Sequence, residues 1–148
     1  MSFQSIVVGT DGSDTAKKAV EQAADLAKTS GGELHIVMAA ATVPEARLRS
    51  ERAGAPDDVA HTINPTEDTE AELSDAAKPY EDAGIKVHTH AKSGDPADAI
   101  ITVAESNGAD LIVVGNKGMT GAKRFFLGAV PNKISHHAPC SVLIVRTT

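Results

Sequence analysis

Strand-like runs and helix-like segments alternate along this chain, and that alternation constrains its fold more than any single motif does. Ser5-Ile6-Val7-Val8-Gly9 is a β-branched run closed by glycine. Thr10-Asp11-Gly12-Ser13 then offers several good helix N-caps, and Ala16, Ala19, Val20, Ala23, Leu26 and Ala27 recur at helical spacing until Gly31-Gly32 supplies a stop. Leu34 to Ala40 is a continuous apolar run, too short for a helix and suited to a buried strand. A helix is predicted from about Thr66, with Leu73, Ala76, Ala77 and Tyr80 on one face and Gly84 at its end; Pro79 is expected to strain its last turn. Ile85 to Ala91 alternates, the pattern of a strand with one exposed face near a sheet edge. Gly94-Asp95-Pro96 reads as loop, N-cap and first helical proline, opening a helix through Ile100, Ile101 and Ala104 that ends at Gly108. Asp110 to Gly115 predicts a central buried strand, about Ala129 to His136 a helix, and Ser141 to Val145 a fifth strand. No hairpin signal separates the strands, so the pattern implies right-handed crossovers and a doubly wound parallel α/β sheet with helices on both faces. Thr42 to Thr66, with three prolines and no period, reads as a long loop with room for a short helix near Ala46 to Arg52.

Length and composition fit that class. The 148 residues suffice for one domain. Hydrophobic residues make up 41% but aromatics only 3%, so the core must be built from Val, Ile, Leu and Ala. A net charge of -6 with no Lys or Arg run argues against nucleic acid as a partner. No apolar run is long enough for a membrane span and Met1 to Ile6 lacks a signal-peptide pattern, so a cytoplasmic location is expected. The lone cysteine, Cys140, excludes an internal disulfide framework and is expected to be a small buried or half-buried hydrophobe.

In a doubly wound sheet, ligands bind beyond the carboxyl ends of the strands, which directs attention to Gly9 to Ser13, Ala39 to Thr42 and Gly115 to Pro131. The third is the most informative. Gly115-Asn116-Lys117-Gly118, then Gly121, Lys123, Arg124 and Gly128 at a helix entry, can bring backbone N–H groups close to an anion without Cβ interference. The alternative is a long glycine-rich turn whose bases are merely solvated. Other phosphate loops do not match: there is no Gly-x4-Gly-Lys-Ser/Thr, no Gly-x-Gly-x-x-Gly after the first strand, and no acidic residue closing Leu34 to Ala40 for a ribose diol. Ala91-Lys92-Ser93 supplies no phosphorylatable Asp of the receiver-domain kind.

The spacing Gly115-x2-Gly118-x9-Gly128 resembles the adenosine-nucleotide signature of the universal stress protein family, Gly-x2-Gly-x9-Gly-Ser/Thr. Similar too are Val7-Val8-Gly9-Thr10-Asp11-Gly12-Ser13, the Gly94-Asp95-Pro96 turn, the strand from Ala109 to Gly115, and the ending Ala138-Pro139-Cys140-Ser141-Val142-Leu143-Ile144-Val145, so the resemblance covers nearly the whole chain. It implies a Rossmann-like sheet of order 3-2-1-4-5 and a regulatory adenine-nucleotide binder, with ATP favoured, Mg2+ possible beside it, and AMP or cyclic AMP as alternatives. By the same resemblance Thr10 and Asp11 would lie beside ribose and adenine, and Ala39 would meet adenine through its backbone. Gly115 would face the ribose, Gly118, Gly128, Ala129 and Val130 would line the phosphates, and Asn116 would belong to the same binding set. Asp11 could equally cap the first helix. Ala129 departs from the pattern, removing a hydroxyl donor worth roughly 0.5–1.5 kcal/mol, and Pro131 lacks an N–H. Gly128-Ala129-Val130-Pro131 resembles the Gly-Ser-Val-Pro segment of a cyclic-AMP-binding branch. The family also implies a homodimer through the last strand, Val142 to Val145.

Two rival readings share this fold. A weak ATPase or phosphotransferase would need a metal-holding carboxylate, for which Asp11 is the candidate. A partner-binding module would keep only a vestigial nucleotide site and recruit through the Thr42 to Thr66 loop. No catalytic set is expected. No metal site is expected either: His88 and His90 share a strand face, but the sequence places no third ligand beside them, and exposed polar alternation accounts for them. His136-His137 suits the negative end of a helix, and Glu67 to Glu72 the positive start of one.

Overall fold

The structure is a computed structural model that describes residues 3–40, 65–116 and 129–147. Its elements run β1 (Ser5–Gly9), α1 (Asp14–Ser30), β2 (Glu33–Ala40), α2 (Pro65–Asp82), β3 (Lys86–Ser93), α3 (Pro96–Ser106), β4 (Leu111–Gly115), α4 (Ala129–His137) and β5 (Ser141–Val145). The strands form one parallel sheet in the order β3-β2-β1-β4-β5, as expected. The expected loop at Thr42 to Thr66, the short helix within it, and Gly118 and Gly128 lie outside the described residues, apart from Pro65 and Thr66 in α2.

Burial on both faces explains why the central strands are continuous apolar runs rather than alternating ones. Ile6, Val8, Leu34, Ile36, Leu111 and Val113 face α1 and α2, where Ala19, Ala23, Ala27, Leu73 and Ala77 meet them. Val7, Val37, Ile112 and Val114 face the other way, against Ala97, Ile100, Val103 and Ala104 of α3 and Ile134 of α4. The alanine-rich face of α1 lets its backbone approach the sheet closely, compensating for the scarcity of aromatic filler.

Local chemistry fixes the helix ends. Ser13 caps α1, its side chain accepting from the Ala16 amide at 3.2 Å, and Gly31 closes it in the left-handed region at φ 70°. Asp95 caps α3 by accepting from the Asp98 amide at 3.0 Å, with Pro96 in the first turn. Lys133 of α4 reaches back to Asp95 at 3.3 Å and Asp98 at 2.8 Å, tying the two helices on that face together. Pro79 does not end α2: the helix continues to Asp82, and the Pro79 carbonyl accepts from the Ala83 amide at 3.2 Å. The missing proline N–H falls on an exposed face of the last turn, where the freed carbonyl meets water at little cost.

Candidate functional site

The strand order reverses between β1 and β4, and the chain leaves these neighbours for helices on opposite faces, opening a crevice beyond their carboxyl ends. A cleft of about 390 Å³, counted to its open mouth, lies there. Its walls come from the end of β1 (Gly9, Thr10, Asp11), the first turn of α1 (Thr15, Ala16), Ile100 of α3, the end of β4 (Val114, Gly115), the start of α4 (Val130, Pro131), and Thr147 after β5.

The floor is preorganised. The buried Thr10 donates its amide to the Val37 carbonyl at 2.9 Å, and its hydroxyl accepts from the Gly12 amide at 3.1 Å. Asp11 accepts from the Ser13 amide at 2.9 Å through Oδ1. It therefore braces the turn while Ser13 does the capping, which corrects the alternative that made Asp11 the cap. Gly12 sits at φ 82°, so the turn takes the left-handed backbone that glycine adopts without strain. Asp11 is the only ionisable side chain among the described lining residues.

The opposite wall depends on close approach. A Cβ on Gly115 would stand 3.1 Å from Thr147 Cγ2, so glycine lets the C-terminal segment close over β4. Thr147 is 3% exposed and held by its neighbours: its amide and hydroxyl donate to Asn116 Oδ1 at 2.9 and 3.0 Å, and Lys18 Nζ donates to its carbonyl at 3.1 Å. The Asn116 amide in turn donates to the Val145 carbonyl at 2.9 Å. The third side comes from the first turn of α4, whose Ala129 and Val130 amides belong to the set that a helix start leaves without intrahelical partners. Pro131, buried in the same turn, adds surface and no donor.

Of the residues singled out in the sequence, Thr10, Asp11, Gly115 and Val130 thus meet in one cleft. Asn116 stands behind Gly115 as the clamp on Thr147, Ala129 is exposed at the start of α4, and Ala39 lies one strand away, outside the lining. Thr15, Ala16, Ile100 and Thr147 were not anticipated. Periodicity marks Ala16 and Ile100 only as helix residues and passes over Thr15, and nothing in the sequence signals that Thr147 folds back onto Gly115.

The histidines of β3 require a correction. Parallel register sets His35 opposite His88 and Val37 opposite His90, and His35 with Glu33 supplies the partners that the sequence did not reveal. His35, 3% exposed, stacks between His88 and His90 with ring centroids at 4.7 and 5.1 Å, and its Nδ1 is 2.9 Å from His90 Nε2. His35 Nε2 and His88 Nε2 lie 3.3 and 3.5 Å from the same oxygen, Glu33 Oε2. Lys86 Nζ takes the other oxygen at 3.3 Å and, by that hydrogen bond above all, holds the carboxyl below its usual range. Burial, reinforced by neighbouring positive charge, lowers both His35 and His90, the latter to about 4. The lone Cys140 is half-buried against the α3–α4 side of the core, as expected, and burial followed by the Asp110 charge raises its thiol.

A doubly wound parallel sheet with a cleft at its switch point defines the chain as a Rossmann-like α/β protein. Comparison with known proteins narrows that class: the model of the universal stress protein family matches residues 2–146. Universal stress protein Rv1636 of Mycobacterium tuberculosis is 36% identical over 151 residues, covering 99% of each chain. Universal stress protein MJ0531 of Methanocaldococcus jannaschii is 33% identical over 144 residues, covering 97% of this chain and 82% of that protein. A universal stress protein solved in complex with cAMP superposes with a TM-score of 0.71 at 30% identity, covering both chains completely. The chain belongs to the universal stress protein family.

Proposed function

We propose that this protein is a regulatory stress-response domain, formed by the whole chain, that takes an adenine nucleotide in the cleft between β1 and β4 and acts by binding rather than catalysis. The observation that carries the reading is the convergence of Thr10, Asp11, Gly115 and the first turn of α4 on one preorganised cleft at the switch point. The purine and ribose would lie toward Asp11, whose carboxylate accepts from a sugar hydroxyl or the exocyclic amine. The phosphate would face the Ala129 and Val130 amides at the positive end of α4. A binding role fits a lining whose described residues include one carboxylate, because phosphoryl transfer needs further groups to hold a metal and orient a nucleophile. An Mg2+ ion arriving with ATP would find only Asp11 among those residues.

Pro131 favours a ligand with a single phosphate charge. It lines the phosphate side of the cleft without a donor, Ala129 brings no hydroxyl, and a family member of 30% identity has been solved with cAMP. Cyclic AMP or AMP therefore stands ahead of ATP, reversing the order the sequence suggested. Calorimetric titration with the three nucleotides, alongside mass identification of whatever copurifies, tests this. Saturable binding with cyclic AMP or AMP tighter than ATP is expected, and failure of all three to bind would overturn the proposal.

The open edge of β5 supports a homodimer. Val142, Leu143 and Val145 are half-buried and Ile144 is 37% exposed, on a strand paired along one side only among the described residues. Sedimentation equilibrium at micromolar concentration should give twice the chain mass, and a monomer would refute this pairing. No described helix is long and apolar enough to cross a membrane.

A further inference from the structure

We propose that Glu33, His35 and His88 bind a divalent transition-metal ion of the zinc type, giving it three protein ligands and one open position at the start of the β2–β3 pair. This inference stands apart from the nucleotide reading. Glu33 opens β2 opposite Ser5, the first residue of β1, whereas the cleft lies past the last residues of β1 and β4.

The donor set matches the ion's chemistry. Two imidazole nitrogens and one carboxylate oxygen form the N/O set that zinc accepts, and three protein ligands leave the fourth position to water. A tetrahedral ion with bonds of roughly 2.0–2.1 Å places its ligand atoms about 3.3–3.4 Å apart. The two edges meeting at Glu33 Oε2 are already 3.3 and 3.5 Å, and all three ligand atoms lie within 4.8 Å of one another. Closing the remaining edge requires the half-exposed His88 ring to rotate out of its stack on His35, so that both nitrogen lone pairs converge on one ion.

Independent features point the same way. His88 Nε2 is fully buried and has no hydrogen-bond partner, although it faces the Glu33 carboxylate. Such an orphan needs an account, and a bound cation supplies one. His35 is a buried polar residue in an otherwise apolar strand core, with its second nitrogen 2.9 Å from His90. If His35 Nδ1–H donates to His90, the Nε2 lone pair is left free to bind the ion, the usual arrangement behind a metal-bound histidine. Lys86, on the far oxygen of Glu33, orients the carboxylate. His90 and Lys86 are thus positioning residues. A loaded site would clamp the edge strand β3 to β2.

The test uses the full chain, stripped with a chelator and titrated with Zn2+ by calorimetry and with Co2+ by visible absorption. One equivalent per chain, with the intense absorption of low-coordinate cobalt, is expected. H88A and E33Q change half-exposed side chains, and circular dichroism checks that both remain folded. Each should weaken Zn2+ binding by roughly tenfold or more. Replacing His136 and His137 together should leave it unchanged. The proposal is overturned if Zn2+ shows no saturable uptake, if H88A and E33Q bind as the parent does, or if the His136/His137 variant abolishes binding.

Discussion

Replacing Asn116 by alanine tests whether the cleft wall is held as the structure shows. One oxygen, Asn116 Oδ1, accepts from both the amide and the hydroxyl of Thr147, a residue 3% exposed. Removing it leaves a buried N–H without a partner, costing about 1–3 kcal/mol, and deprives the hydroxyl of a bond worth about 0.5–1.5 kcal/mol. The hydroxyl can turn toward water in the cleft, and the segment after β5 can lift away, which caps the loss. The net cost should be about 2 kcal/mol, or roughly 4–8 °C in Tm for a domain of this size. Urea denaturation with an unchanged slope measures it directly. Asn116→Asp keeps an acceptor at the same place and should retain most of the stability. If Asn116→Ala falls within about 0.5 kcal/mol of the parent, the clamp on Thr147 contributes little and the reasoning fails.

Other expected outcomes follow from neighbouring features. Gly115→Val would force a branched side chain into Thr147, whose methyl lies 3.1 Å from the Cβ position, and should lower affinity for AMP by about tenfold or more in calorimetry; unchanged affinity would remove Gly115 from the binding wall. Asp95→Ala should cost about 1 kcal/mol at pH 7 through the lost cap on α3. The Asp98 amide, then Lys133, holds the Asp95 carboxyl below its ordinary value. Its contribution is therefore complete above about pH 4 and disappears as pH falls through the lowered value, so parent and variant stabilities should converge in acid. Cys140, half-buried and raised in pKa, should react with iodoacetamide about tenfold slower in the native protein than in urea; equal rates would contradict its packing.

The fold was legible because the chain's local signals agree with one another. β-branched runs predict β1, β2 and β4, Asp95-Pro96 sets the start of α3, and Gly31, Gly84 and Gly108 all adopt the left-handed backbone just past helix ends. Part of the cleft was legible for a different reason: Thr10, Asp11, Gly115 and Val130 stand at strand ends or a helix start, which the topology makes into sites. Thr147 was not legible, because its partner Asn116 is 31 positions away and their pairing depends on how far the segment after β5 runs beside β4. The histidine cluster was hidden by register. Alternation within β3 places His88 and His90 on one face, but it does not say which β2 residue stands opposite. His35 was the available signal, since a polar residue inside the Leu34 to Ala40 run demands a buried partner. Pro79 was expected to strain the last turn of α2, and packing of Ala77 and Tyr80 against the sheet carries the helix through it to Asp82.

Amide chemical-shift mapping with isotope-labelled protein tests the central claim most directly, because it reads both whether a nucleotide binds and where. Titration with cyclic AMP should move the amides of Gly9, Thr10, Asp11, Gly115 and Val130, leave those of the β3 edge unmoved, and be abolished or strongly weakened in Gly115→Val. Saturable shifts confined to some other surface, or none at millimolar nucleotide, would contradict it.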